Sequence, residues 1–345
     1  MTPMTNADVS PPASGRFVSH ASGAPIEVTI DGGTLFIGAV NNPSRSRWRL
    51  HDGPDGTTLQ PPPAGTFPAS HGWSALEAAT VLAPHRARLR LADAEGWAAP
   101  LFADGTLSTA ALWQQPARWM VSPAEPFAQH FTMTQGRRHP VRPPKPVGTV
   151  YRRGIPWLGR TLSFRAVEPD RDLATFHRWM NDPVVDRFWQ EAGDLARHRA
   201  YLDTIAADPH VVGLVGAFDG EDFGYFEVYW AKEDRIAPHC EAGDHDRGWH
   251  VLVGEPRFRG RPWISAWMPS ISHCLFLDDC RTQRIVIEPR ADNHPMARSL
   301  ARSGYAHLKY FDFPHKRALL ATLSRDRFFG EALWIPASDE PGRPA

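Results

Sequence analysis

Cysteine is scarce: Cys240, Cys274 and Cys280 are the only three in 345 residues, an odd number with none of the paired spacings of a zinc or disulfide framework. That excludes a disulfide-stapled scaffold and points to a reducing compartment, with the cytoplasm the expected location. Net charge is also lacking. Lys plus Arg and Asp plus Glu number 38 each, so no global field draws the chain to nucleic acid or a lipid surface. No apolar run approaches the roughly 20 residues of a membrane span. Met1 to Ser14 are polar and Pro-rich, without the charged start and apolar core of a signal peptide, and read as a loose tail, as do residues 337–345. What the chain does have is a 42% apolar fraction and length enough for two domains of ordinary size.

Between Gly136 and Arg153 the run Gly-Arg-Arg-His-Pro-Val-Arg-Pro-Pro-Lys-Pro-Val-Gly loses hydrophobic periodicity, and its prolines favour an extended path without a core. Residues 136–153 are therefore expected to be a Pro-rich linker between domains at 15–135 and 154–336. Upstream, Ile26 to Gly38 alternates around Asp31-Gly32, a hairpin signal, and Trp73 to Leu82 has a helical pattern. Further strands are expected at Ala87 to Leu91 and near Leu101. This part reads as a small α+β unit without a catalytic constellation. Downstream, strands at Leu162–Ala166, Val211–Phe218, Phe223–Tyr229, around His250, Arg284–Glu288, Tyr305–Phe311 and Ala318–Leu323 alternate with helices near Asp170–Met180, Asp194–Ala206, Trp263–Phe276 and from Asn293 or His294 to Arg302.

The most informative stretch is Gly248-Trp-His-Val-Leu-Val-Gly254, a buried strand that breaks into Glu255-Pro-Arg-Phe-Arg-Gly-Arg-Pro262 and then a helix. Free amides at a helix start, with guanidinium groups beside them, form an anion cradle suited to a pyrophosphate. Arg257, Arg259, Gly260 and Arg261 are the expected anion ligands. Pro262 has no N–H and removes one cradle donor, although proline suits the first helical position and Arg259 and Arg261 are placed to compensate. His250 is the candidate base, because imidazole titrates near neutral pH. His239, Cys240, Asp244, His245, Asp246 and His250 crowd one segment but match no zinc spacing, so no metal is expected.

Five ordered motifs carry a family resemblance: Trp179-Met-Asn-Asp-Pro183 with Phe188-Trp189, Gly224-Tyr-Phe-Glu-Val-Tyr-Trp230, the His250 strand, Glu288-Pro-Arg-Ala-Asp-Asn293 and Phe313-Pro-His-Lys-Arg-Ala318. Together with the element order and Arg257-x-x-Gly260-x-Pro262, residues 142–336 resemble the siderophore-biosynthesis branch of the GNAT acyltransferases. The resemblance implies an α+β fold with a mixed sheet, in which a C-terminal GNAT domain follows a smaller α+β N-terminal domain, a candidate degenerate GNAT-like half. It also implies acetyl-CoA or succinyl-CoA as donor, and direct transfer in a ternary complex to the hydroxylamine nitrogen of an N-hydroxylated diamine or lysine. The product is a hydroxamate. In this reading His250 is the base and Glu288 or Asp292 its carboxylate partner. Val251, Leu252, Val253 and Asn293 join the arginine loop in binding CoA, with a strand amide near Val251 or Leu252 polarising the thioester if the strand splays from its neighbour. Asn181, Trp189, Tyr225, Glu227, Tyr229, His315 and Lys316 are the expected acceptor contacts. A GNAT enzyme acting on ordinary amines and a non-catalytic CoA-binding scaffold are the alternative readings.

Overall fold

The computed structural model describes residues 14–53, 56–82, 88–92, 102–103, 105–122 and 127–336. Most of both expected tails, together with Ala87 and Leu101, lies outside them, and Ser14 opens the first strand. The N-terminal sheet contains β1 (Ser14–Ser19), β2 (Ile26–Asp31), β3 (Thr34–Ala39), β4 (Ser46–Gly53), β5 (Gly56–Gln60), β6 (Arg88–Leu91), β7 (Phe102–Ala103) and β8 (Thr106–Ser108). Helix α1 (Ala69–Leu82) joins β5 to β6, and α2 (Thr109–Trp113) and α3 (Pro116–Trp119) follow β8. The strand order is β1-β2-β3-β4-β5-β6-β8-β7, with β5 and β6 parallel and every other neighbour antiparallel.

A hairpin of β9 (Phe131–Thr134) and β10 (Arg137–Pro140) leads into the second sheet. That sheet contains β11 (Thr149–Ile155), β12 (Arg160–Ala166), β13 (Val211–Phe218), β14 (Glu221–Trp230), β15 (Arg247–Val253), β16 (Arg284–Ile287), β17 (Ala306–Phe313) and β18 (Lys316–Ser324). Three helices, α4 (Pro169–Met180), α5 (Pro183–Trp189) and α6 (Leu195–Ala207), connect β12 to β13; α7 (Ala237–Cys240) precedes β15. Beyond β15 come α8 (Arg261–Asp278), α9 (His294–Arg302) and α10 (Arg325–Gly330). The order β11-β12-β13-β14-β15-β16-β18-β17, parallel only at β15–β16, repeats the first sheet position for position.

The expected linker needs correction. Residues 136–153 are extended, as the prolines dictate, but they contain β10 and the first half of β11, where Tyr151 and Arg153 are fully buried. Hydrophobic contact across the two sheets explains the difference: Trp113 stacks between Trp119 and Trp334, at centroid distances of 4.4 and 4.9 Å, in one core cluster that includes Phe17, Tyr151 and Phe164. The helices around the second sheet begin as their sequences require. Pro169 opens α4 with Asp170 and Asp172 in its first turn, and Asp194 and Asn293 accept hydrogen bonds from Arg197 N and Met296 N to cap α6 and α9. Helix α5 was not anticipated, although Asp182 caps it from Val184 N and Pro183 starts it. No helix among the described residues is long and apolar enough to cross a membrane.

Candidate active site

The antiparallel register of β14 and β15 sets Glu227 directly opposite His250. Side chains two residues apart share a strand face, so Tyr225 and Tyr229 stand on the same face as Glu227. Gly248 faces Tyr229, and a Cβ there would lie 2.2 Å from the phenol ring. Only glycine therefore lets Tyr229 cross β15 and donate from its hydroxyl to Val286 O and Glu288 Oε2, both at 3.2 Å.

His250 is clamped between two buried carboxylates. Its Nδ1 lies 3.1 Å from Glu227 Oε2 and its Nε2 3.0 Å from Glu288 Oε1. Burial alone would discharge the imidazole, but the charge of Glu288 and the hydrogen bonds from both glutamates outweigh it and raise the group to about 10. Two carboxylates at hydrogen-bond distance thus favour the imidazolium, with both nitrogens donating, over the near-neutral titration expected of the imidazole by itself. Burial would raise Glu227, but hydrogen bonds from His250, Tyr201 and Tyr225 hold it below its ordinary range. The same penalty on Glu288 is overcome first by His250 and then by Lys316 and Arg235, which leaves it well below the usual carboxylate range. Lys316 Nζ donates to Glu288 O at 2.8 Å, and Arg235 Nη2 to Glu288 Oε1 at 3.1 Å.

These groups line a cavity of about 400 Å³. Trp189 and Tyr229 form aromatic walls, and His315 and Lys316 also line the cavity, together with Asn293, which the sequence reading assigned to CoA. Alongside it, β15 pairs with β16 only at Arg247↔Ile285, so the strand beyond Arg247 leaves an open gap. Trp189 Nε1 donates to Val251 O at 3.2 Å and Arg259 Nε to Val253 O at 3.0 Å, which shows that both residues turn their backbone into that gap. N–H and C=O of one strand residue point the same way, so the Val251 amide faces the gap and Leu252 faces β14. Downstream, Gly260, at φ +104° in the left-handed region, caps α8, which Arg261 and Pro262 begin.

Several expected residues lie elsewhere. Tyr225 is buried behind Glu227, to which its hydroxyl donates at 3.1 Å. Asn181 staples the loop after α5 by exchanging hydrogen bonds with Gly193, both at 3.0 Å, because an amide can satisfy a donor and an acceptor locally. Asp292 is 60% exposed and pairs with Arg290 at 3.1 Å, so it cannot stand in for Glu288. Arg257 pairs with Glu221 at 2.9 Å on the surface. Arg259 also bonds Gly254 O at 3.2 Å and Asp182 at 3.0 Å, which makes it a strut of the loop before it is an anion ligand.

Sequence reading missed Tyr201, Asp234 and Arg235, which all line the cavity. Tyr201, Ile205 and Asp208 follow an i, i+4, i+7 spacing on and just past α6, and that spacing was the available signal. Asp234 and Arg235 lie in an irregular loop that offered none. The crowded His/Cys/Asp segment disperses: Asp244 pairs with Lys232, Asp246 with Arg284, and His239 stacks on Phe311. Another trio, His139, His210 and Glu233, does gather its ligand atoms within 4.8 Å, but Glu233 is already held by Arg142 Nε at 2.6 Å and Nη2 at 2.7 Å.

Comparison with known proteins places this geometry in a family. The family model of the acetyltransferase (GNAT) domain matches residues 168–313. A Schizosaccharomyces pombe protein provisionally named a lysine N-acyltransferase is 44% identical over 218 residues, covering 63% of this chain and 65% of that protein. The Escherichia coli N(6)-hydroxylysine O-acetyltransferase is 43% identical over 223 residues, 64% of this chain and 70% of the relative. A Beauveria bassiana N(5)-hydroxyornithine:cis-anhydromevalonyl coenzyme A-N(5)-transacylase is 45% identical over 196 residues, 55% of this chain and 43% of its own length. The chain thus spans about two thirds of the first two relatives and less than half of the third. With its mixed sheet, its arginine loop and these relatives, the chain belongs to the GNAT acyltransferases, in the siderophore-biosynthesis branch that contains the hydroxylysine and hydroxyornithine acyltransferases.

Proposed function

We propose that this protein transfers an acyl group from acyl-CoA, acetyl-CoA or succinyl-CoA, to the hydroxylamine nitrogen of an N-hydroxylated amine, forming a hydroxamate. The observation that carries this reading is His250, clamped by Glu227 and Glu288 at the wall of a cavity beside the open edge of β15. A hydroxylamine is less basic than an alkylamine, so its nitrogen arrives unprotonated at neutral pH and no strong base is needed to expose its lone pair. Attack on the thioester carbonyl makes that nitrogen cationic and the carbonyl oxygen anionic. The Val251 amide, turned into the gap, is the donor available to the oxyanion. The imidazolium of the carboxylate–imidazolium unit gives a proton to the departing CoA thiolate, and the imidazole so neutralised takes the nitrogen proton in its place. The C–N bond forms, the C–S bond breaks, and the unit ends the cycle with the proton count it began with. His250 thus acts with Glu288 as a proton relay, and the arginine loop with the start of α8 binds the CoA phosphates. The N-terminal unit fits a degenerate copy of the same fold, since it repeats the strand order but places no comparable clamp among its described residues.

The test is thiol release from acetyl-CoA and succinyl-CoA with hydroxylated diamines and amino acids beside their unhydroxylated parents. Product is assayed with ferric iron, which colours an N-acyl hydroxamate but not an O-acyl hydroxylamine. Turnover confined to hydroxylated acceptors, with ferric colour and loss in His250→Ala, is the expected result. Equal turnover of the parent amines would sink the hydroxylamine reading, and thiol release without ferric colour would move the acyl group to oxygen.

A further inference from the structure

The loop from Ala231 to Ile236, between β14 and α7, sets Asp234 and Arg235 at the cavity. Its two ends are fixed inside the second unit: Ala231 N donates to Asp246 O at 2.9 Å, and Ile236 is fully buried. Its middle has weaker ties of its own. The Glu233 and Asp234 amides reach Trp230 O only at 3.3 Å, beyond the usual span of an N–H···O bond. Arg235 is bonded to Glu288 through its guanidinium, which leaves its backbone to be fixed elsewhere.

Firmer anchors come from the extended segment that joins the two units. Arg142 forks onto Glu233 through Nε at 2.6 Å and Nη2 at 2.7 Å, with both side chains 2% exposed. Its third nitrogen, Nη1, donates to Asp244 O at 2.8 Å, and its Cζ stands 4.1 Å from the centroid of the Trp230 ring. Arg137 Nη1 donates to Asp234 O at 2.8 Å, and His139 Nδ1 lies 2.8 Å from Glu233 Oε1. A buried, charge-assisted fork is far stronger than two long turn bonds, so the joining segment decides where the loop sits. The same segment reaches a second wall. Lys145 Nζ donates to Ala206 O at 2.9 Å and to Ile205 O, at the C-terminal end of α6, where a cation also favours the helix dipole. Ile205 and Asp208 line the cavity. Pro140, Pro143, Pro144 and Pro146 restrict the backbone between these contacts, which keeps their spacing.

Building on the acyl-transfer reading, we propose that the segment joining the two units is a brace for the acceptor cavity, with Arg142 its main positioning residue. Through Glu233 it places Asp234 and Arg235, and through Lys145 it places the end of α6. None of its residues touches the reacting atoms. Loosening the brace therefore weakens acceptor binding and leaves the donor side, built on β15 and the arginine loop, in place.

The experiment measures KM for the acceptor and for acetyl-CoA separately, with N6-hydroxylysine and with N-hydroxycadaverine, in wild type, Arg142→Lys, the paired variant Arg142→Met with Glu233→Leu, and Lys145→Gln. The paired variant removes both buried charges together, so neither is left alone to unfold the chain. It should raise the acceptor KM about tenfold. Arg142→Lys, which keeps the charge without the fork, and Lys145→Gln should each raise it about threefold, with the acetyl-CoA KM within about twofold of wild type throughout. A role in stability alone would shrink the folded fraction, lowering kcat at unchanged KM, and that result overturns the proposal. So does a parallel rise in both KM values. Arginine 15N–1H NMR supplies a readout that needs no turnover: the Arg235 Nε–H signal should shift or broaden in the paired variant, while that of Arg165, forked on Asp172, stays. An unmoved Arg235 signal overturns the brace. If wild type turns over no hydroxylated acceptor, the acyl-transfer reading fails, and the Arg235 signal still decides the brace.

Discussion

The charged state of His250 is open to direct attack through Glu288→Gln, which keeps the shape of the side chain and removes its charge. Raising the imidazole from its ordinary 6.5 to about 10 corresponds to roughly 5 kcal/mol in favour of the charged form. His250 is only 20% exposed, so solvent screening takes little from that figure. Glu227 remains at 3.1 Å in the variant, so about half the effect, some 2–3 kcal/mol, should disappear and bring His250 to a midpoint of about 8. The assay is imidazole 15N–1H NMR across pH 5 to 10. Wild type should show both nitrogens protonated up to about pH 9, and the variant should titrate near pH 8. Thermal unfolding gives an independent check with a definite sign. A group raised in the folded state contributes its full stability below its unfolded value, near 6.5, and loses it as pH rises toward the folded value. Wild type should therefore lose stability steadily from pH 6.5 to about 10, whereas the variant's loss should end near pH 8. The two glutamates, held low, work in the other direction: their contribution is present above about pH 4.5 and is lost on acidification. A wild-type His250 that titrates between pH 6 and 7 would refute the clamp.

Other consequences follow from individual contacts. Gly248→Ala places a methyl 2.2 Å from the Tyr229 ring, and overpacking of this kind should lower unfolding free energy by about 1–3 kcal/mol in denaturant titrations; an unchanged midpoint would contradict the crossing of Tyr229 over β15. Asp292→Ala breaks only an exposed pair with Arg290 and should leave kcat/KM within about threefold of wild type, whereas a loss comparable to that of His250→Ala would return Asp292 to the reaction. Arg259→Ala removes the struts to Val253, Gly254 and Asp182 and should raise the acyl-CoA KM by about tenfold with little change in the acceptor KM. Equal effects on both constants would mean that the loop shapes the acceptor cavity as well.

How far the sequence could be read depended on whether a residue's partner was local. The strand of His250 and the Glu288 strand end were legible because each is bounded by its own turn chemistry, and the 3.6-residue and two-residue periods placed nearly every element of the second sheet. The clamp was legible only in half: the resemblance paired His250 with Glu288, whereas Glu227 was expected as an acceptor contact and not as a second carboxylate on the imidazole. It joins residues 23 and 38 positions apart, and the register that sets Glu227 opposite His250 is fixed across an irregular loop whose length carries no pattern. An imidazole read by itself titrates near neutrality; two distant carboxylates make it a cation. The arginines show the same limit with a different outcome. Arg257, Arg259 and Arg261 look alike in sequence, yet Arg257 meets Glu221 where both side chains are more than half exposed, a pair worth at most about 1 kcal/mol. Arg259 is one-quarter exposed and bonded to two carbonyls as well as to Asp182. Turning Arg257 to an arriving phosphate costs one weak surface pair, whereas turning Arg259 would release Val253 and Gly254 and collapse the loop that forms the cradle. The energetics therefore favour Arg257 as the guanidinium that moves to the phosphate and Arg259 as the strut that keeps the loop in place to receive it.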